Sequence, residues 1–127
     1  MEETKINEIL KGYIEAVLFT EKNSDDGDEN IFGGVDFTFE NFTSDSIDKT
    51  INDIKQFLKD AGEVAVKEAV DLDGLYKLGI NILLTRNGHG SGFFDYDYEN
   101  ESLLTDAADK LGEVYLDVNF DEKLILV

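Results

Sequence analysis

The sequence predicts an α+β protein in which N-terminal helices are followed by a small antiparallel sheet of two hairpins with an intervening helix. In residues 4–20 and 44–76, apolar side chains recur at the three- and four-residue spacing of amphipathic helices. After residue 76, short runs rich in β-branched and aromatic residues alternate with turn-forming residues. The length of 127 residues and the hydrophobic content of 42% suit a single domain, residues 1–127.

The N-terminal half predicts three helices. The first covers residues 4–20, with Gly12 weakening it by about 1 kcal/mol relative to alanine. Residues 21–34 have the composition of a loop, and residues 35–42 suit either a short strand or an extended lead into the next helix. The second helix should begin at Ser44 as its N-cap and end at Gly62. The third helix should cover residues 63–76 and close near Gly74.

The C-terminal half predicts two hairpins. Residues 78–85 and 91–98 are expected to be strands joined at Asn87-Gly88, a dipeptide suited to positive φ in a tight turn. A short helix over residues 103–112 should end at Gly112. Strands over residues 114–118 and 123–127 should then form the second hairpin.

Charge is the strongest signal in the composition. The 29 acidic residues outnumber 11 basic ones, and the net charge is −18. Such a surface repels nucleic acid and anionic lipid and attracts basic proteins that hold phosphate backbones. The alternatives are that the charge serves solubility or adaptation to high salt. The chain has no cysteine and no apolar run long enough for a membrane span, so we expect a soluble protein of a reducing interior without disulfides.

A short segment contains both the only arginine and the only histidine, Arg86 and His89. These side chains could act with Asp95 as a catalytic or phosphate-binding set, and Ser91, His89 and Asp95 could be imagined as a nucleophilic triad. The alternative is that the segment is structural, or that Arg86 and His89 contact a protein partner. The residues expected to serve the turn geometry are Asn87, Gly88, Gly90 and Gly92.

Neither acidic segment supports a specific metal site, and the alternative left open is weak, low-affinity cation binding. Residues 23–30 and 71–74 lack the glycine or the ligand positions of a calcium-binding loop. A single histidine without cysteine suits zinc poorly. We therefore predict no metal and no cofactor.

Acidic and tyrosine side chains alternate in residues 95–101. On a strand, Asp95, Asp97 and Glu99 would share one face, with neighbouring carboxylates about 6.6–7 Å apart, close to the spacing of phosphates. Tyr96 and Tyr98 would lie on the other face. This row is the predicted partner-binding surface, and the alternative is a solvated face above a tyrosine-bearing core face.

The block LLTRNGHGSGFFD, residues 83–95, resembles a block of the form LTRNGHGxGFxD in small acidic proteins encoded by bacteriophages and related mobile elements. The resemblance covers the C-terminal half. Phe94 stands where tryptophan is common, and Gly79-Ile80-Asn81 stands where Gly-His-Asp often opens the strand. The matching residues are Leu84, Thr85, Arg86, Asn87, Gly88, His89, Gly90, Gly92, Phe93 and Asp95.

The resemblance implies a phage origin and, by class, an anti-defence role such as anti-CRISPR or anti-restriction. Together with the charge it predicts a non-enzymatic inhibitor in the cytoplasm of an infected or lysogenic bacterium. Such an inhibitor would bind a nucleic-acid-handling defence protein as a nucleic-acid mimic. The alternatives are a small enzyme or ligand-binding domain that uses Arg86, His89 and Asp95, and a phage housekeeping protein.

Overall fold

A computed structural model of the chain describes residues 1–22, 41–88, 91–118 and 124–127. This part is mostly helical and ends in one two-stranded antiparallel sheet, which agrees with the α+β class but not with two hairpins. The elements are α1 (Glu3–Lys22), α2 (Ser44–Ala61), α3 (Glu63–Asp73), α4 (Leu75–Arg86), a 3₁₀ turn (Phe93–Asp95), α5 (Glu101–Asp109), β1 (Leu116–Val118) and β2 (Leu124–Leu126).

The three predicted N-terminal helices are confirmed, with small shifts at their ends. The N-cap of α2 is Thr43 rather than Ser44, because the Thr43 hydroxyl accepts the backbone N–H of Ser46 at 3.2 Å. Gly62 and Gly74 end α2 and α3 with φ of 89° and 91°, a conformation that glycine adopts without the strain of a side chain. The predicted loop and most of residues 35–42 lie outside the described residues.

The predicted strand over residues 78–85 is wrong, because this segment belongs to helix α4. It is buried on several sides, so its nearly continuous apolar run lacks the period that distinguishes a buried helix from a buried strand. Its isoleucines favoured the strand interpretation. Packing between α1 and α5 overrides that preference.

The predicted strand over residues 91–98 is also wrong, and Asn87-Gly88 is therefore not a hairpin tip. Asn87 caps the C-terminus of α4, and Gly88 turns the chain with φ of 64°. The 3₁₀ turn follows because the Asp95 carboxylate accepts the Gly92 N–H at 3.0 Å and folds the segment back on itself.

The C-terminal helix and the antiparallel strand pair are confirmed with different bounds, and the turn between the two strands lies outside the described residues. α5 ends three residues before Gly112, whose φ of 74° suits the predicted turn. β1 pairs antiparallel with β2, so that Leu116 lies opposite Leu126. The other edge of β2 lies against the start of α2, where the Thr43 N–H donates to the Leu124 carbonyl at 3.0 Å.

Two glycines allow α1 and α4 to cross at very short distance. A Cβ on Gly12 would lie 1.9 Å from the Tyr76 carbonyl oxygen, and a Cβ on Gly79 would lie 1.9 Å from that of Ile9. Gly12 therefore does more than weaken α1, because it makes room for the backbone of α4. Among the described helices, none is long and apolar enough to cross a membrane.

Candidate functional site

Arg86 lies in the interior, at the C-terminus of α4, and its guanidinium joins four parts of the chain. Nε donates to the Gly112 carbonyl at 2.7 Å, and Nη2 donates to the Leu111 carbonyl at 2.9 Å. Nη1 donates to the Tyr13 hydroxyl and to the Asp53 carboxylate, both at 3.0 Å. The arginine thereby ties α4 to α1, to α2 and to the turn after α5.

The surroundings of Arg86 are those of a structural ion pair. Its side chain is 3% exposed and that of Asp53 is 25% exposed, so the pair is largely shielded from water. Burial raises the pKa of Tyr13 to about 12, although the nearby positive charge of Arg86 opposes that rise. The guanidinium is therefore committed to internal partners and is not presented to a ligand.

Asn87, the next residue, holds the same turn through its side-chain amide. Nδ2 donates to the Val114 carbonyl at 3.0 Å, and Oδ1 accepts the Val114 N–H at 2.9 Å. This pair of bonds reproduces the contacts that a neighbouring strand would make with Val114. Asn87 thus fixes the chain just before β1, in addition to capping α4.

Gly92 and Phe93 dock against Thr85. The Thr85 hydroxyl accepts the Phe93 N–H at 3.2 Å, and a Cβ on Gly92 would lie 2.1 Å from the same oxygen. The Phe93 ring is fully buried and stacks on Phe57 of α2, with ring centroids 5.6 Å apart. Gly92, whose φ is 145°, is therefore required by both space and backbone conformation.

The catalytic set proposed from the sequence is not assembled by the described residues. The hydrogen bonds of Arg86 end on internal groups, and the Asp95 carboxylate, on the exposed 3₁₀ turn, accepts the N–H of Gly92. His89 and Gly90 lie outside the described residues. The described residues in the central part of the block make internal hydrogen bonds, pack in the core or turn the chain. These residues are Thr85 to Gly88, Gly92, Phe93 and Asp95, whereas Phe94 is exposed.

A second group of side chains joins α3 to the loop before α5. The Glu68 carboxylate accepts the backbone N–H of Glu99 at 2.6 Å and that of Asn100 at 3.0 Å. The bond from Asn100, assisted by that from Glu99, lowers the pKa of Glu68. Close by, the Tyr98 hydroxyl donates to the Asp73 carboxylate, and burial together with this bond raises the pKa of Tyr98.

We call this group the acidic corner and define it as Glu68, Asp73, Asp97 and Glu99. Glu68 and Asp73 use their carboxylates to hold the loop, and Asp73, Asp97 and Glu99 are exposed. Within the loop, the rings of Tyr96 and Tyr98 stack 5.2 Å apart. The corner therefore presents Asp97 and Glu99 on a loop that is held at several points.

The predicted straight row of carboxylates is wrong, because Asp95, Asp97 and Glu99 do not lie on a strand. All three residues are exposed, but Asp95 belongs to the 3₁₀ turn and bonds to Gly92. Tyr96 and Tyr98 do not lie on a strand either, because no strand is formed over this segment, and their rings stack on each other. Only Asp97 and Glu99 remain together at the acidic corner.

Negative charge is concentrated in residues 91–118, which contain eight acidic residues and one lysine. The rest of the chain has 21 acidic and ten basic residues. This difference could have been read from the sequence, whereas the roles of Glu68 and Asp73 had no local signal. The exposed acidic residues of the segment are Asp95, Asp97, Glu99, Asp106, Asp109, Glu113 and Asp117.

One shallow groove of about 340 Å³ lies beside the block, where Leu84 and Ser91 help to line it. Neither Arg86 nor Asp95 lines this groove, and the grooves that lie between the N-terminus, α2 and α3 contain no residue of the block. The described residues also contain no group of three histidine or carboxylate side chains that could hold a metal ion.

Comparisons with known proteins leave the chain without an assigned relative. No family model matches it, and neither the curated proteins nor the solved structures contain a match.

Proposed function

We propose that this protein is a non-enzymatic inhibitor that binds a basic, nucleic-acid-handling protein and occupies the surface that would hold a phosphate backbone. The observation that carries the proposal is the exposure of seven carboxylates within residues 91–118, where one lysine opposes them. A surface of this kind attracts the same basic grooves that attract nucleic acid.

The structural role of the block supports a binding function over chemistry. A catalytic arginine must reach a substrate, and Arg86 is 6% exposed with its donors used inside the molecule. Arg86 instead fixes the turn at Leu111 and Gly112, in the middle of the acidic segment. The block therefore serves as the frame that holds the charged surface in place.

The resemblance of the block to small phage proteins suggests the biological setting. The targets that it favours are host defence proteins, such as a CRISPR effector or a restriction enzyme, in the cytoplasm of an infected or lysogenic bacterium. Direct binding to nucleic acid or to an anionic membrane is opposed by the net charge of −18.

Competition for a target tests the proposal. We expect the protein to inhibit cleavage by a purified nuclease of this class, and expect an oligonucleotide substrate to relieve that inhibition. Binding should also weaken as the Debye length falls from about 10 Å at 0.1 M salt to about 3 Å at 1 M. Simultaneous, independent binding of the protein and the oligonucleotide would contradict mimicry, and so would an affinity that salt leaves unchanged.

Neutralisation of the acidic segment locates the contact. The triple variant Asp97→Asn, Glu99→Gln, Asp106→Asn removes three negative charges from exposed positions and should weaken inhibition by at least tenfold, or about 1.4 kcal/mol.

A matched triple variant controls for total charge. Glu15→Gln, Asp48→Asn and Asp60→Asn also remove three negative charges from exposed positions, on α1 and α2. We expect a less than threefold effect from this variant, about 0.6 kcal/mol. Equal losses in the two variants would show that only net charge matters.

A further inference from the structure

Helix α3 carries an exposed apolar stripe beside the acidic corner. Val64 is 73% exposed and Leu72 is 64% exposed, although both are large apolar side chains. Glu68 lies between them at four-residue spacing, so all three belong to one side of the helix. The stripe spans about 12 Å along the helix axis.

The loop before α5 lies against the middle of this stripe. Glu68 holds the backbone of Glu99 and Asn100, and Asp73, one residue after Leu72, holds Tyr98. The loop that carries the exposed residues Asp97 and Glu99 is therefore held against the side of α3 on which Val64 and Leu72 lie.

We propose that Val64 and Leu72, together with Asp97 and Glu99, form a docking surface for a basic amphipathic segment of a partner protein. The apolar side chains of such a helix would cover Val64 and Leu72, and its lysine or arginine side chains would meet the two carboxylates. This inference rests on the proposed function and extends it, because it identifies the contact surface and the chemistry of the partner segment.

Charge complementarity selects this occupant. The carboxylates repel nucleic acid and anionic lipid, and a second copy of the chain would bring another net charge of −18 against the first. Apolar anchors surrounded by polar groups are also the arrangement in which protein interfaces concentrate their binding energy.

Two synthetic peptides test the surface with the full chain. The first is a helical peptide of lysine and leucine with the leucines along one face. The second has the same length and charge, with serine in place of leucine. Fluorescence anisotropy with labelled peptides should show that the leucine peptide binds about tenfold more tightly than the serine peptide.

Paired variants separate the apolar and charged contributions. The change Val64→Ser with Leu72→Ser should weaken the leucine peptide about tenfold and leave the serine peptide within twofold. The change Asp97→Asn with Glu99→Gln should weaken both peptides by at least threefold. Because all four positions are exposed, the variants are expected to fold, and circular dichroism checks that they do.

Matched controls decide the outcome. Tyr115→Ser removes an apolar side chain that is 58% exposed on another part of the surface, and Asp48→Asn with Asp60→Asn removes two other exposed charges. Each control should change the affinity of the leucine peptide less than twofold. Controls that match the paired variants, or a Val64/Leu72 pair without effect, would overturn the proposed surface.

Failure of this inference is distinguishable from failure of the proposed function. If nuclease inhibition is relieved by an oligonucleotide but Val64→Ser with Leu72→Ser leaves inhibition unchanged, mimicry stands and the docking surface is wrong. If the leucine peptide responds to the paired variants as expected but nucleic acid does not compete for the nuclease, the surface stands and mimicry is wrong.

Discussion

Replacement of Arg86 by methionine should destabilise the protein severely while leaving its exposed acidic surface chemically unchanged. Methionine keeps much of the apolar stem of arginine but has none of its donors. The change removes hydrogen bonds to Tyr13, Asp53, Leu111 and Gly112. The expected defect is therefore in the free energy of unfolding.

The size of the loss in unfolding free energy depends on which former partners of Arg86 can form hydrogen bonds with water in the variant. Gly112 is exposed and Leu111 is half-buried, so their carbonyl oxygens can turn to solvent at modest cost. Tyr13 is 1% exposed, and the Asp53 side chain is 25% exposed, so these two groups are left poorly satisfied. Breaking a buried ion pair from one side costs about 3–5 kcal/mol, and we expect a loss in that range.

Urea unfolding followed by circular dichroism measures this loss. Arg86→Lys retains a charge near Asp53 but cannot bridge all four acceptors, so it should cost about 1–3 kcal/mol and remain folded if the methionine variant does not. In the double variant with Asp53→Asn, the loss should be smaller than the sum of the single losses. A cost below about 1 kcal/mol for Arg86→Met would refute the structural role and return the arginine to the candidates for ligand binding.

Three further outcomes are expected. Gly79→Ala should cost about 1–3 kcal/mol or more in urea unfolding, because its Cβ would meet the Ile9 carbonyl oxygen at 1.9 Å. Because the pKa of Tyr13 is raised to about 12, the neutral phenol stabilises the folded protein fully below pH 10, and this stabilisation is lost as the pH rises through 12. The free energy of unfolding should therefore fall by about 2–3 kcal/mol over that range, and the fall should be smaller in Tyr13→Phe. The lowered pKa of Glu68 gives the opposite dependence: its contribution is present above the ordinary carboxyl range and is lost as the pH falls through its lowered pKa. The protection factor of the Asn100 amide, which compares its exchange rate with that of an unstructured chain at the same pH, should therefore fall in acid, and in Glu68→Gln it should not change with pH.

The helices of the N-terminal half could be predicted because their signals are local. Apolar residues at helical spacing predict α1, α2 and α3, and Gly62 and Gly74 end two of them at the expected positions. Periodicity and capping act within one or two turns of chain, so no knowledge of distant residues was needed.

The C-terminal half was harder because its elements are defined by their neighbours. α4 is buried on several sides and lost the helical period that would have identified it. The segment after it looked like a strand because its aromatic residues alternate, yet Phe93 packs on Phe57, which is 36 positions away in the sequence. Long-range packing of this kind has no signal in a short window of sequence.

By itself the sequence determined the charge of the protein, the absence of thiol chemistry and the concentration of acidic residues after position 90. The tertiary structure decided what those residues do. Arg86 joins distant parts of the interior, since its partners Tyr13 and Asp53 lie 73 and 33 positions away in the sequence. Glu68 holds a loop that lies more than 30 positions downstream. A carboxylate holds the fold when hydrogen-bond donors from other parts of the chain lie within reach of it, and it is exposed to a partner when they do not. Only the folded chain decides which donors lie within that distance.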